Sequence, residues 1–557
     1  MSNRIPEKQR AVQLVGPDQL VLNKTKEVFR PGPHQILARI EVVGLCFSDL
    51  KLLKQFTGHV RKSEVVDGID LDVLKEIPSY VPGKAPTVPG HETVVRIVEV
   101  GLGVTKHKPG ERYLVQTDYR WLHTTSSNAA FGYNFEGALQ EYVLMDERVI
   151  TAPDGESMLI PAAEELSGSA VALAEPWACV EDAYVSQERT TIEPAGRMLV
   201  VNDAGVSDAA LANLFARCGR PAAIYPETIE IDRLSGKAIP QIDVDHIAKL
   251  PDEGFDDIVY FGSNADAIES LFAKMAPRGL LNVVLGGGKL GRDVTVPVGR
   301  THYGGIRIIG TTGAEPADSM QIIPQTGEIR PGDKINVVGA GGPMGMMHVI
   351  RNLCQGVEGV SVFAGDVDDN RLATLSKVAE PVARQNGVAY RPYNARTGQI
   401  DEAFDYSAIM APVPQLVAGA VKQAAPNGIV NIFAGIPANV TGEIDLDTYI
   451  EKQLYFVATS GSTLDDMKRM LEKVETGRLD TNVSVAAVSG LEGAVAGIRA
   501  VENRLIAGKI VVYPACKGLE LVRLEELQEK LPAVAACLKD GLWTAEAERK
   551  LIETCSQ

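Results

Sequence analysis

Two segments far apart in the chain, Gly44-Leu45-Cys46-Phe47-Ser48-Asp49 and Pro89-Gly90-His91-Glu92, supply a thiolate, an imidazole and a carboxylate beside glycines that let backbone approach closely. A third, Ala174-Glu175-Pro176-Trp177, adds another carboxylate. Zinc at a catalytic centre takes three protein ligands of the Cys, His and Asp/Glu kinds and keeps a position open for water or substrate. Cys46, His91, Glu92 and Glu175 therefore read as a zinc site. Zinc there acts as a Lewis acid on an alcohol or carbonyl oxygen and stabilises the alkoxide from which hydride leaves; Ser48, two residues from Cys46, is placed to pass the proton toward solvent. Set into an ordinary core instead, the same residues would bury two carboxylates without stated partners, which is costly.

Hydride needs an acceptor. Gly339-Ala340-Gly341-Gly342-Pro343-Met344-Gly345 follows the apolar run Ile335 to Val338 and opens a helical pattern from Met346 to Leu353. Its spacing fits a dinucleotide fingerprint as Ala340-x-Gly342-x-x-Gly345, with Ala in place of the first glycine. Asp366 ends a second strand, Ser361 to Asp366, 24 residues after Gly342. An acid there accepts hydrogen bonds from the adenosine ribose and repels a 2′-phosphate, which favours NAD over NADP; Arg371, nearby, would blunt that preference.

The elements that must hold these residues fall into two kinds. Residues 10 to 50 alternate as strands do, around a turn at Pro31-Gly32-Pro33, and 93 to 145 continue as short strands between Gly and Pro. From about 196, apolar runs alternate with amphipathic stretches, the rhythm of a parallel sheet covered by helices. This α/β part is internally repeated. Phe255-Asp-Asp-Ile-Val-Tyr with Ala276-Pro-Arg-Gly279-Leu-Leu-Asn282 matches Phe404-Asp-Tyr-Ser-Ala-Ile with Ala425-Pro-Asn-Gly428-Ile-Val-Asn431 at a constant offset of 149. A period that long is a whole domain, so two tandem Rossmann-like units are expected. The copies differ after their first strands. Copy one reads Asn202-Asp203-Ala204-Gly205-Val206-Ser207-Asp208, whose carboxylates would oppose a pyrophosphate, so only copy two should bind the cofactor and copy one is a spacer or oligomer interface.

At 557 residues the chain should hold about three or four domains. Apolar residues make up 45% and charged ones 23%, as in ordinary globular proteins, and the net charge of -17 argues against nucleic acid as a partner. The start lacks an apolar leader and no run nears about 18 apolar residues, so a cytoplasmic protein with no membrane partner is expected. The cysteines at 46, 179, 218, 354, 516, 537 and 555 stand singly, without disulfide or zinc-knuckle spacing.

These motifs together resemble the medium-chain, zinc-dependent alcohol dehydrogenase superfamily, and within it the sorbitol dehydrogenase and sorbose-phosphate reductase branch. The resemblance rests on Gly44 to Asp49, Gly90-His91-Glu92, Gly137-Ala-Leu-Gln-Glu-Tyr-Val143, Ala174-Glu175-Pro176, Gly342-Pro-Met-Gly345, Thr459-Ser-Gly461 and Ala507-Gly-Lys-Ile-Val-Val-Tyr-Pro514. It implies Cys46, His91 and Glu92 as direct zinc ligands, with Glu175 binding zinc or holding its water. Ser48 and Asp49 complete the catalytic set. Gly341, Gly342, Pro343, Met344, Gly345, Asp366, Arg371, Ala434 and Thr459 are the candidate cofactor contacts. With the internal repeat it gives the expected architecture: a GroES-like β-barrel over residues 1 to 190, completed by about 465 to 557, then a degenerate Rossmann-like domain over 191 to 328 and an NAD-binding one over 329 to 464. Zinc would sit between the barrel and the cofactor domain.

The chain departs from the family in three ways. Residues 110 to 135 hold no cysteine, so no structural zinc lobe is expected; about 20 extra residues, including Arg61 to Glu76, lie between Cys46 and His91; and copy one is inserted before the cofactor domain. The expected activity is hydride transfer between NAD(H) and a secondary alcohol or ketone of a polyol, sugar or sugar phosphate, in a homo-oligomer (dimer or tetramer). Lys51, Arg120, His123, Asn134 and Glu136 are expected near the mouth of the site. An aldehyde or ketone reductase, and a non-catalytic binding or assembly protein on the same fold, are the alternatives.

Overall fold

The computed structural model describes residues 5–398, 400–459 and 461–555. Two compact units result, one of Met1–Ala178 with Ser462–Gln557 and one of Cys179–Gly461. The chain passes from the first to the second within the helix Ala174–Val185, some residues before the expected boundary at 190, and both parallel sheets lie in the second unit.

The first unit is organised on the strand Gln35–Gly44, buried along most of both faces. Along one edge it pairs antiparallel with Glu92–Val100 over nearly its whole length. Its other edge is shared: Tyr142–Asp146 takes the Gln35 to Arg39 end, and Lys509–Val512 takes only Val43 and Gly44. The sheet therefore forks. The expected closed barrel is not formed; the eight strands make an open sheet whose path runs from Leu159–Pro161 to Val522–Arg523. Its apolar face packs into one core that includes Ile36, Ile40, Val95, Leu139, Val143 and Ile510, so distant parts of the sequence share one hydrophobic interior. The extra residues between Cys46 and His91 form local structure of their own. Val65–Asp67 pairs with Asp118–Thr124, and Asp70 caps the short helix Leu71–Lys75.

In the second unit the apolar runs become two parallel sheets. The first has the order Ala223–Tyr225, Arg197–Asn202, Phe255–Phe261, Met275–Val284, Arg307–Thr311. The second has the order Ala389–Asn394, Ser361–Asp366, Lys334–Val338, Phe404–Ile409, Ala424–Ile432, Tyr455–Val457, which is the 3-2-1-4-5-6 order of dinucleotide-binding sheets. The first sheet is the same arrangement without the outermost strand. Register agrees in detail: the shift between Phe255 and Asp257 recurs between Phe404 and Tyr406, and Asp257 opposite Leu280 answers Tyr406 opposite Ile429. Arg278 and Asn427 occupy matching left-handed turns at φ of 62° and 60°. Among the described residues no helix is long and apolar enough to cross a membrane.

Candidate active site

The ladder that pairs Gly44 with Glu92 also brings together Cys46, His91 and Glu92, a cluster that could hold a metal ion. A Cβ on Gly44 would lie 2.2 Å from Glu92 Oε2, so glycine is what lets that carboxylate fold back over the neighbouring strand. Gly90, at φ 94°, turns the chain immediately before His91. Cys46 follows the end of the same central strand, just ahead of the helix Ser48–Gln55. Ligand atoms of Cys46, His91 and Glu92 consequently lie within 4.8 Å of one another, with His91 and Glu92 buried. This is the one such group among the described residues.

The surrounding shell fixes each ligand. His91 Nδ1 lies 3.0 Å from Asp49 Oδ1, leaving Nε2 toward the cluster; a carboxylate behind an imidazole is the usual way to orient a metal-ligating histidine. Asp49 Oδ2 accepts from the Cys46 amide at 3.2 Å, so one carboxylate braces two ligands. Lys509 Nζ donates to Glu92 Oε1 at 2.6 Å and to Leu45 O at 2.8 Å. The other oxygen, Glu92 Oε2, is buried with no hydrogen-bond partner among the described residues. A buried carboxylate oxygen left bare beside a thiol and an imidazole is costly unless a cation meets it, so the donor set fits zinc.

Charge is strongly coupled here. Burial opposes a proton on His91, but Asp49, Tyr133 and hydrogen bonding outweigh it and hold the imidazole well above its ordinary value. Burial, reinforced by Glu92 and Asp49 and opposed by His91 and Lys509, pushes Glu175 up to about 7. Glu175 is thus an electrostatic neighbour of the cluster while standing outside the tight trio. Ser48 Oγ donates to Cys46 Sγ at 3.1 Å and lies 3.1 Å from His91 Nε2. It also hydrogen-bonds Tyr133, whose ring centroid is 5.8 Å from that of His91.

Several expected residues lie elsewhere. Asn134 and Glu136 are buried and structural: Asn134 accepts from the Ala130 amide and donates to Ser63 O, and Glu136 pairs with Lys26 at 2.8 Å. Arg120 donates to Ser462 O at 2.8 Å, His123 stands on the exposed face of its strand beside Asn128, and Lys51 is exposed on the Ser48 helix. Sequence reasoning missed Lys509 and Tyr133. Lys509 stood inside a quoted motif, but 417 residues separate it from its partner Glu92 and no local spacing announces the pairing.

In the second unit the glycine loop closes as a phosphate cradle requires. A Cβ on Gly345 would lie 2.3 Å from Gly339 O and 2.7 Å from Ala340 Cα, and one on Gly341 2.6 Å from Arg371 Cβ. Gly342 is open, its nearest neighbour being Gly339 O at 3.7 Å. The helix Pro343–Cys354 begins on this loop, with Gly342 at its N-cap and Pro343, which has no amide N–H, at its first position. Buried Asp366 accepts from the amides of Gly341, Val367 and Asp368, so it holds the loop as well as facing it. The Ala434 amide donates to Ile409 O. Thr459 Oγ1 is buried without a partner among the described residues, a polar atom available to a ligand. Ser460, from the matched Thr459-Ser-Gly461 segment, lies outside the described residues. The corresponding loop of the first sheet is filled by its own chain: Asn202 takes the Val206 amide and reaches Ile239 O, the Asp208 amide donates to Lys237 O, and the Asp208 carboxylate accepts from Ser235 and Gly236.

Residues 32–154 match the family model described as alcohol dehydrogenase GroES-like domain. With its relatives, this match supports a medium-chain alcohol dehydrogenase of the sorbitol and polyol branch as what the chain is similar to. A protein of Escherichia coli (strain K12), uncharacterized protein YggP, is 25% identical over 268 residues, covering 44% of this chain and 62% of that protein. L-sorbose 1-phosphate reductase of Klebsiella pneumoniae is 24% identical over 233 residues, covering 40% of this chain and 56% of the reductase. The chain thus spans less than two thirds of the length of these relatives. Among solved structures, 2R,3R-butanediol dehydrogenase from Bacillus subtilis shares the fold at a TM-score of 0.51 and 15% identity, over 91% of this chain and 100% of that one.

Proposed function

We propose that the protein is a zinc-dependent oxidoreductase that moves hydride between NAD(H) and the secondary alcohol or ketone carbon of a polyol, sugar or sugar phosphate. The observation that carries this is the close trio of half-buried Cys46 with buried His91 and Glu92, with Glu92 Oε2 unpartnered among the described residues and His91 backed by Asp49. Those three residues would hold the zinc, with Glu175 as a further ligand or the holder of its water. Bound there, zinc would supply Lewis-acid polarisation of the reacting oxygen. Ser48 Oγ would relay the hydroxyl proton of the alcohol toward solvent, giving up its own proton as it takes the new one, with Tyr133 as a hydrogen-bond neighbour that orients it. Lys509 holds Glu92 in place through its bond to Oε1, and Asp49 keeps Nδ1 of His91 occupied.

In the same reading the two parallel sheets are copies of one Rossmann-like unit, and only the second takes NAD, on Gly341 to Gly345, with Asp366 at the adenosine ribose. The naming of a sorbose phosphate reductase among the relatives supports a phosphorylated or free sugar as substrate, but the site residues themselves specify only a hydroxylated carbon. Elemental analysis should find one zinc per chain, and Cys46→Ala should release it. Two zincs per chain, or full metal and activity in that variant, would sink the assignment. A panel of polyols, sugars and sugar phosphates, read as NAD reduction, identifies the substrate; no turnover with any of them in the zinc-loaded protein would favour a non-catalytic role.

A further inference from the structure

The short strand Val294–Val296 pairs antiparallel with Gly442–Ile444, placing Thr295 opposite Glu443. These are equivalent positions in the two sheets. Between Asn282 and Thr295 the offset slips by one residue from the 149 that relates Phe255 to Phe404, and from there the helix Val298–Tyr303 answers Leu446–Glu451 and the strand Arg307–Thr311 answers Tyr455–Val457. A residue facing its own counterpart across an antiparallel pair marks a local two-fold axis.

The contacts on either side obey that axis. The helix Val298–Tyr303 packs on the strand Tyr455–Val457, and reciprocally the helix Leu446–Glu451 packs on Arg307–Thr311. The Asp447 carboxylate accepts from the amides of Leu290 and Gly291, both at 2.9 Å. At the equivalent place in the first copy stands Gly299, whose amide donates to Val440 O and whose missing Cβ would strike Pro437 O at 1.9 Å. So residue 447 meets the segment at 290, and residue 299 meets the matching segment near 438. Apolar side chains from both sides, Val294, Val296, Val298 and Ile308 with Ile444, Leu446, Ile450 and Phe456, close into one core. When patch i meets patch j and j meets i, the interface is isologous, the form taken by a two-fold homodimer.

We infer that the first copy is a tethered stand-in for a second protomer: it occupies, within one chain, the face through which a single-copy cofactor unit would pair with itself. It has kept that pairing surface while its loop has been filled by its own backbone, so the pseudo-dimer carries one open cofactor loop instead of two. This holds whatever reaction the chain performs. Its consequence is that no second chain docks on the Gly442–Ile444 edge, and any homo-oligomer uses another surface.

The test is a covalent trap in the full-length protein. Thr295→Cys with Glu443→Cys puts two thiols on directly opposed residues whose native side chains already meet, at 2.9 Å. Mild oxidation should give a cross-link between the peptides carrying 295 and 443 within single chains, with no covalent dimer as protein concentration rises; cross-linked dimers that grow with concentration would overturn the inference. As a second measurement, Val296→Asp should lower the thermal midpoint while sedimentation velocity shows the wild-type association state unchanged. A change of association state in that variant would place the interface between chains.

Discussion

The two parallel sheets of the second unit share strand order but for one outer strand, bulge position, left-handed turn and a common apolar core, yet the loops after their first strands are built differently. What they share lies in the strands and their registers, where burial selects side chains; what separates them is a handful of residues at the carboxyl ends of the first strands. In the second sheet the turn is Gly339 to Gly345, tight enough that side chains at Gly341 and Gly345 would collide with backbone or with Arg371. In the first, Asn202 takes the Val206 amide and bonds Ile239 O, while the Asp208 carboxylate holds the amides of Ser235 and Gly236, so the segment 235–239 lies over the loop.

The largest effect that can break this contrast is at Gly342. Its Cβ direction is empty of protein, so Gly342→Leu should fold normally while the side chain takes the space a pyrophosphate needs; NADH affinity should fall by about 100-fold or more. Gly205 is equally free of neighbours but lies at φ 72°, so Gly205→Asn, which tolerates that conformation, should leave affinity within about two-fold. Calorimetry should give one site per chain for the wild type. Two sites, or equal losses in the two variants, would end the division of labour.

A smaller effect is expected from the acids. Asp366→Ser should relax the preference for NAD over NADP by about ten-fold or more, because a like charge no longer meets the 2′-phosphate, though loss of the Gly341 amide bond will also weaken NAD itself. Asp203, by contrast, accepts from the Tyr260 hydroxyl at 2.7 Å within the first sheet, and Asp203→Ser should leave both cofactors' kcat/KM unchanged. Comparable kcat/KM for NAD and NADP in the wild type would remove Asp366 from the ribose.

Much of this was legible in the chain because its determinants are local. The likeness of the segments at Phe255 and Phe404 is readable since both sheets have a strand with the same register shift there, and the contrast between Asp208 and the glycines needs no tertiary information. The ligand trio was legible as residue types with flanking glycines, Gly44 and Gly90. Lys509 was not assigned, because a buried ion pair spanning 417 residues leaves no periodic signal, and Asn134 and Glu136 looked exposed until Ala130, Ser63 and Lys26 claimed them. The barrel failed for a similar reason. Alternation at residues 35–44 shows a strand, but not that two different partners divide its second edge and fork the sheet. The two-fold pairing of Thr295 with Glu443 likewise follows from neither copy alone.

The smallest predicted difference tests whether the two sheets have also diverged in stability at one equivalent buried residue. Asn282 is fully used: its Nδ2 donates to Pro316 O at 2.9 Å and its Oδ1 accepts from Ser319 at 2.6 Å. Its counterpart Asn431 donates to Tyr406 and to Ala183 O, but its Oδ1 is buried with no partner among the described residues. Replacing Asn282 by Ala removes two good hydrogen bonds, whereas replacing Asn431 also relieves an unpartnered carbonyl, and a buried polar group left unsatisfied costs about 1–3 kcal/mol. Asn282→Ala should therefore destabilise more than Asn431→Ala, by about 1 kcal/mol, in chemical denaturation followed by fluorescence. The reverse order would mean that Asn431 Oδ1 has a partner in solution, an ordered water being the natural one, and that the second sheet is as completely satisfied at this position as the first.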